Sequence, residues 1–405
     1  MRPVHVLGAS AALAPLVAAL APLGMAPLIV VTALAALAMR ICRARNRPWR
    51  PLAPIVLFIL LATLGLLSAL WAIEPLAALR KVMQLSGLLA CGVVVLDAAV
   101  ALGADDRQRV GRWLAYGLVA ALAVLTVERF AGFPIRYLQH QTLLDPTALM
   151  IPYKRAMSAL AMLVWPAALA LWRVRRLYAV LIVTATFGVL LVFSSDSAQA
   201  GLIIAAVACA AGWAWPRAAA GTLAAVLVAY IALAPMLHAG ILDPKTMGLK
   251  VVDGELTAPI LPRSGYHRLL IWRFTAARIA ERPVLGWGLE SSRYLPGGRT
   301  LMDTAEQAMP LHPHSATMQI WVELGLGGAL LLAILVGWIL GRIRGAAWPR
   351  PDKAAALALF ASSAVTASLS YGIWQGWWVA TLLLAAACAA AIIVPLRQDP
   401  EPTAG

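Results

Sequence analysis

Apolar residues fall in blocks of about twenty along this chain, from residue 8 to residue 395, with short polar breaks between them. A block of that length, coiled as a helix, crosses a hydrocarbon core of about 30 Å. The first block, 8–39, is interrupted by Pro22, Gly24 and Pro27, so it predicts a hairpin of two short helices rather than one upright span. It is too long, and too poorly provided with a cleavage site, to read as a removable signal peptide. Ten further spans are predicted at about 52–71, 85–102, 113–131, 156–172, 178–194, 197–213, 218–236, 315–340, 354–372 and 375–395, which makes twelve.

The basic residues give these spans a direction. Arg40, Arg43, Arg45, Arg47 and Arg50 crowd the connection after the second helix, which the positive-inside rule makes cytoplasmic. Counting forward, Arg107, Arg109 and Arg112, then Arg173, Arg175 and Arg176, then Arg217, then Arg342, Arg344, Arg350 and Lys353 all land on that same side. Both termini are expected there too. Span count and orientation therefore support each other.

Composition settles the class. Hydrophobic residues make up 62% of 405 positions and charged ones 13%, with a mean hydropathy of +0.81; a soluble domain has roughly 45–50% apolar and about 25% charged residues. The expected fold class is an all-α polytopic membrane protein. It has transmembrane helices 1–9 in residues 1–236 and a large periplasmic loop in 237–314 between helices 9 and 10. Helices 10–12 and a cytoplasmic tail follow in 315–405. Cys42, Cys91, Cys209 and Cys388 lie in apolar runs or a basic loop, with spacings that suit packing rather than a disulfide framework or a metal. No phosphate-binding or dinucleotide fingerprint occurs, and no nucleic-acid partner is expected.

Two outward loops are long, Ala131 to Arg155 and His238 to Pro313. The second carries nine lysines and arginines against seven acids. Basic groups at a membrane surface suit an anionic ligand or lipid headgroups, and guanidinium groups suit bidentate phosphate binding. Asp253-Gly254 between short β-prone runs predicts a hairpin. Residues 264–281 predict an amphipathic helix, capped by Ser264 and ended by Pro283, with Leu270, Ile271, Phe274 and Ile279 facing inward. Tyr266, Trp272 and Trp287 are expected at headgroup level. A helix lying on the membrane accounts for most of these arginines; Arg268, beside His267 at its start, is the exception.

The loop closes on His312-Pro313-His314-Ser315, which holds two of the six histidines. Pro313 favours an extended residue before it and a helix start after it. His314 is thus expected at a helix mouth, where an imidazole stays wet and titrates near neutral pH. Asp97 and Glu323 fall inside apolar blocks, a costly place unless they are paired. Glu323 lies about 13 Å beyond His314 along a helix and is expected to pack or pair.

Three segments together resemble the O-antigen ligase and O-antigen polymerase superfamily. They are Tyr153-Lys154-Arg155-Ala156-Met157-Ser158; Tyr266-His267-Arg268 through Trp272 with the following Arg282-Pro283-Val284-Leu285-Gly286-Trp287-Gly288; and His314-Ser315 with Gly325-Leu326-Gly327-Gly328 downstream. The resemblance runs from about residue 50 to 395. One departure is Asp196 in the turn 193–201, where relatives commonly carry an arginine, so no anion-binding role is expected there.

The resemblance implies a multi-spanning, GT-C-like glycosyltransferase of the bacterial inner membrane, active on the periplasmic face. It implies transfer of O-antigen from undecaprenyl diphosphate to a sugar hydroxyl of lipid A–core oligosaccharide, among membrane lipids, with no cofactor and no metal. Arg155 and Arg268 would hold the diphosphate and His314 would act as general base. Tyr153, His267, His312 and Ser315 would join the arginines in binding substrate. An O-antigen polymerase or a protein O-oligosaccharyltransferase would share the donor and topology. A secondary transporter is the alternative of another class, although the chain shows no internal repeat. The topology is testable: in Asp253→Cys protein, a membrane-impermeant thiol reagent should label position 253 without permeabilising the inner membrane. Labelling only after permeabilisation would reverse the orientation.

Overall fold

The structure, a computed structural model, describes residues 3–42, 52–140, 146–249, 251–252, 255–256, 263–302 and 306–393. Helices occupy each of the twelve predicted blocks. α1 (Pro3–Leu20) and α2 (Met25–Cys42) form the expected hairpin across a 3-10 turn at Pro22–Gly24. α3 (Leu52–Ser68), α4 (Pro75–Val100), α5 (Ala104–Phe130), α6 (Pro134–His140), α7 (Pro146–Trp172), α8 (Arg176–Val192), α9 (Asp196–Ala214) and α10 (Pro216–Ala239) follow. After the outer loop, which holds α11 (Arg263–Glu281), come α12 (Ala316–Gly345), α13 (Arg350–Leu369) and α14 (Gly376–Ile393). Among the described residues, nine helices are long and apolar enough to cross a membrane, and α3 and α8 have shorter apolar stretches. The only strands among them are β1 (Val251–Val252) and β2 (Glu255–Leu256), paired antiparallel as the hairpin signal predicts. Asp253-Gly254, Arg43 to Arg50 and the C-terminal tail lie outside the described residues.

α7 and α14 run through the middle, with 78% and 72% of their apolar windows buried. Association here rests on small residues that let backbones approach closely: Ala11, Ala14 and Ala18 of α1 and Ala121 of α5 are all buried. Charges at the arginine-rich end are matched. Arg40 bonds Asp97, Arg173 donates to Asp352 at 2.5 Å, and Arg107 donates to the Val100 and Leu102 carbonyls at 2.9 and 2.8 Å. Asp97 is therefore paired, as its cost requires.

One expectation needs correction. α7 begins at Pro146, so Arg155 lies inside a helix rather than at its mouth. On α11, Leu270, Ile271 and Ile279 are buried as predicted, and so are Tyr266, Trp272 and, in the loop that follows, Trp287. The indole N–H groups find partners inside the protein: Trp272 Nε1 donates to the Pro313 carbonyl at 2.7 Å and Trp287 Nε1 to the Arg278 carbonyl at 2.9 Å.

The local device that shapes the site is a break in α12. Gly325 sits at φ +59°, ψ −151°, a backbone region essentially restricted to glycine. The break frees backbone groups that would otherwise bond within the helix, and the loop 282–288 takes them up. Trp287 N donates to the Val322 carbonyl and Gly288 N to the Glu323 carbonyl, both at 2.8 Å; Leu326 N donates to the Pro283 carbonyl at 3.0 Å. A Cβ on Gly325 would lie 2.3 Å from the Val284 oxygen, and one on Gly286 (φ +69°) would lie 2.5 Å from the Glu323 carbonyl carbon. The two glycine motifs are thus halves of one interlock. Gly325→Ala should cost upwards of about 1–3 kcal/mol from backbone strain alone and lower the thermal-shift midpoint of purified protein. An unchanged midpoint would mean that the loop and helix are not coupled this way.

Candidate active site

A single buried carboxylate holds the elements of the site in register. Glu323 has no exposed surface. It accepts from Glu290 N at 2.7 Å, Ser292 Oγ at 2.5 Å, Gln319 Nε2 at 3.0 Å and Trp374 Nε1 at 2.7 Å, with Ser292 N at 3.4 Å. These donors come from the outer loop, from α12 itself and from the turn between α13 and α14. The expectation that Glu323 pairs rather than reacts agrees with this arrangement.

That last turn, residues 370–375, bonds both His314 and His312, and sequence reading gave it no role. The Ser370 carbonyl lies 2.6 Å from His314 Nδ1. Tyr371 Oη donates to the Lys154 carbonyl at 2.9 Å and meets Ser158 Oγ at 3.2 Å, tying it to the first turns of α7's apolar stretch. Ile373 N donates to Gln319 Oε1 at 2.9 Å, and the Gln375 amide lies 3.0 Å from His312 Nε2. Arg155 stands over the Trp377 ring at 5.8 Å, and that ring packs against Tyr371 at 4.7 Å.

His314 is held in an unusual conformation. Its φ is +56°, in the left-handed region that non-glycine residues rarely adopt. Neighbouring bonds over-determine it. Trp272 fixes the Pro313 carbonyl, Ser315 accepts from Met318 N as the N-cap of α12, and His314 N donates to His312 Nδ1 at 3.1 Å. Because a carbonyl only accepts, His314 Nδ1 carries the proton and Nε2 keeps a free lone pair. Burial pushes the His314 pKa down; the Ser370 bond and Glu306 oppose this, while Arg268 and His267 add to it. His314 is therefore neutral at pH 7, the form a base requires.

The remaining expected residues fall into two groups. Arg268 lies on the first turns of α11; burial lowers its pKa and Asp196 and Tyr371 pull the other way. Burial likewise raises the Tyr371 hydroxyl, with Ser158, Arg155 and Arg268 countering. Arg155, Arg268 and His314 thus share one electrostatic neighbourhood around Ser370 and Tyr371. His267 Nε2 lies 3.1 Å from Glu306 Oε2 at its edge. By contrast, Tyr153 gives its hydroxyl to Glu128 and packs between Phe133 and Phe193, so it braces α7 instead of presenting a group to a ligand. Ser315 is fully buried, and burial, with neighbouring His314 and Arg293 adding to it, drives the His312 pKa down to about 3. Both serve to hold His314. Among the described residues no three His, Cys, Asp or Glu side chains gather as metal ligands.

Residues 181–333 match the family model described as O-antigen ligase. That stretch carries α11, the 282–288 loop, His312, His314 and the α12 break. A protein of Rickettsia conorii provisionally named a polysaccharide ligase is 32% identical over 157 residues, 34% of this chain and 38% of the relative. One of Rickettsia bellii, named likewise, is 33% identical over 161 residues, 39% of this chain and 38% of the relative. The chain spans 38% of the length of these curated relatives. Over this segment the chain is similar to the O-antigen ligase family and to these polysaccharide ligases. Arg155, Tyr153 and the 370–375 turn lie outside the matched stretch. Glu323→Ala would strand several buried donors at about 1–3 kcal/mol each, so its thermal midpoint should fall well below wild type. A wild-type midpoint would remove Glu323 from this role.

Proposed function

We propose that the protein transfers O-antigen polysaccharide from undecaprenyl diphosphate to a sugar hydroxyl of lipid A–core oligosaccharide, at the periplasmic face of the inner membrane. The observation that carries this reading is the His314–Ser370 bond, which leaves a neutral imidazole with Nε2 unprotonated beside Arg268. In the proposed reaction Nε2 takes the proton of the acceptor hydroxyl as its oxygen bonds the anomeric carbon. The bond from that carbon to the diphosphate breaks, and the pair of electrons leaves on the phosphate oxygen. Charge grows on the diphosphate as this happens, and fixed guanidinium groups stabilise that state more than the ground state. Arg155 and Arg268 fill that role, and the lipid diphosphate linkage supplies the driving force without ATP.

The polymerase reading shares every one of these residues and differs only in acceptor. A lipopolysaccharide gel of cells lacking the protein separates them: bare lipid A–core supports the ligase, whereas core plus one repeat supports the polymerase.

Replacement of His314 by alanine should slow transfer by about 100- to 10,000-fold, the usual worth of a general base. Arg155→Ala and Arg268→Ala should each cost roughly 100-fold or more, with lysine rescuing only in part. Rates are measured on purified, well-folded protein; near-normal transfer by His314→Ala would place the base elsewhere. Since the neutral ring is the active form and its pKa is lowered, the acid limb of kcat/KM should fall below the ordinary imidazole value of about 6.5. Glu306→Gln removes a group that raises that pKa, so it should move the limb further toward acid. A limb above about 6.5 would contradict the assignment.

A further inference from the structure

A second cluster of charge lies apart from the arginines assigned to the diphosphate. Glu290, at φ +64°, has its backbone N–H on Glu323 and its carboxylate between two cations. Lys81 Nζ of α4 lies 3.5 Å from Oε2 and Arg293 Nη2 lies 2.7 Å from Oε1. Two positive charges thus converge on this one side-chain carboxylate. Arg293 keeps 41% of its side chain exposed and Lys81 keeps 16%, so both can still meet an anion from outside.

Directly beside this cluster is an apolar groove between α3 and α4, lined by Leu61, Val82, Leu85, Leu89, Leu289 and Trp374. Lys81 and Leu85 are one helical turn apart and share a face of α4. Leu289 immediately precedes Glu290, and Trp374 holds the same Glu323 that holds Glu290. A pair of cations at the edge of an apolar helix seam suits an anion anchored in the surrounding lipid. Arg293 bears on His312 whereas Arg268 bears on His314, so the two clamps address different members of the histidine pair.

We propose that Lys81 and Arg293, braced by Glu290 over the α3–α4 groove, form a second anion site that seats a phosphate group of the lipid-anchored acceptor. The proposal rests on the transfer reaction inferred above and adds how its second substrate is held. The shared chemistry is a phosphate above an acyl chain, and a bulk anionic phospholipid would present the same chemistry.

The test uses the full-length protein in phosphatidylcholine nanodiscs, with rough lipopolysaccharide (lipid A–core without O-antigen) as acceptor. Lys81→Ala and Arg293→Ala should each raise the acceptor KM on the order of tenfold, the worth of one charge-assisted hydrogen bond, and leave the donor KM within about twofold. Lys81→Arg, which keeps the charge, should restore the acceptor KM and so separates lost charge from lost fold. Enzymatically dephosphorylated acceptor should give wild-type protein the same raised KM. Binding of rough lipopolysaccharide without donor, read by thermophoresis, should weaken in parallel. That arm stands even if no transfer is detected, so failure of the reaction and failure of the clamp are told apart. The proposal is overturned if the variants lower kcat with both KM values unmoved, or raise the donor KM instead. It is equally overturned if phosphatidylglycerol in the disc, and not phosphate on the acceptor, governs the response to the two substitutions.

Discussion

Everything at the outer end of this protein depends on one buried carboxylate that has no cation against it. Glu323 is satisfied by hydrogen bonds from three separate pieces of chain, and each piece brings a different part of the site. The outer loop brings Glu290 and Arg293, α12 brings the His314 cap, and the 370–375 turn brings Ser370 and Tyr371. A buried charge is tolerable only when its lone pairs are filled, so the loop and turn must close for the helix to be stable there. Folding energy and site geometry are thereby the same quantity. A half-closed loop leaves the carboxylate short of donors, and the assembled arrangement is favoured over any near neighbour of it.

The same logic explains why irregular backbone is concentrated here. His314, Glu290, Gly286 and Gly325 all adopt positive φ within this one site. Non-helical backbone near a bilayer is tolerated only where protein covers it. The loop 282–288 provides that cover by bonding the groups that the α12 break exposes. Strain at His314 is sustained from several sides at once, which is how an imidazole is kept in one tautomer and one direction.

Much of this was legible in the residues. Twelve apolar blocks predicted twelve helices, because a run of twenty apolar residues leaves the backbone few other options. His314 and Arg268 stood out as polar groups at the edge of an apolar stretch. What the residues did not reveal was partnership through the backbone. Ser370 acts through its carbonyl and Tyr371 through a hydroxyl on the Lys154 carbonyl, and the expected span 354–372 hid both inside a helix that ends at Leu369. The internal partners of Trp272 and Trp287 stayed hidden for a similar reason. A Trp at headgroup level and a Trp with its N–H on an internal carbonyl look alike until the partner carbonyl of Pro313 or Arg278 is known. The glycine motifs were visible as motifs, but their fit to each other is a matter of backbone separation that no spacing encodes.

The break at Gly325 also sets a depth. From Leu326 to Gly345 there are twenty residues, which at 1.5 Å each reach about 30 Å, the thickness of the hydrocarbon core itself. The stretch before the break, Ala316 to Leu324, is then surplus to the crossing. A crossing by Leu326–Gly345 alone would set that stretch at the level of glycerol and phosphate. Arg342 and Arg344 mark the other face. In the proposed reaction, a donor whose diphosphate rides at the bilayer surface would meet His314 without being lifted from the membrane, and the sugar chain beyond it would never have to leave water.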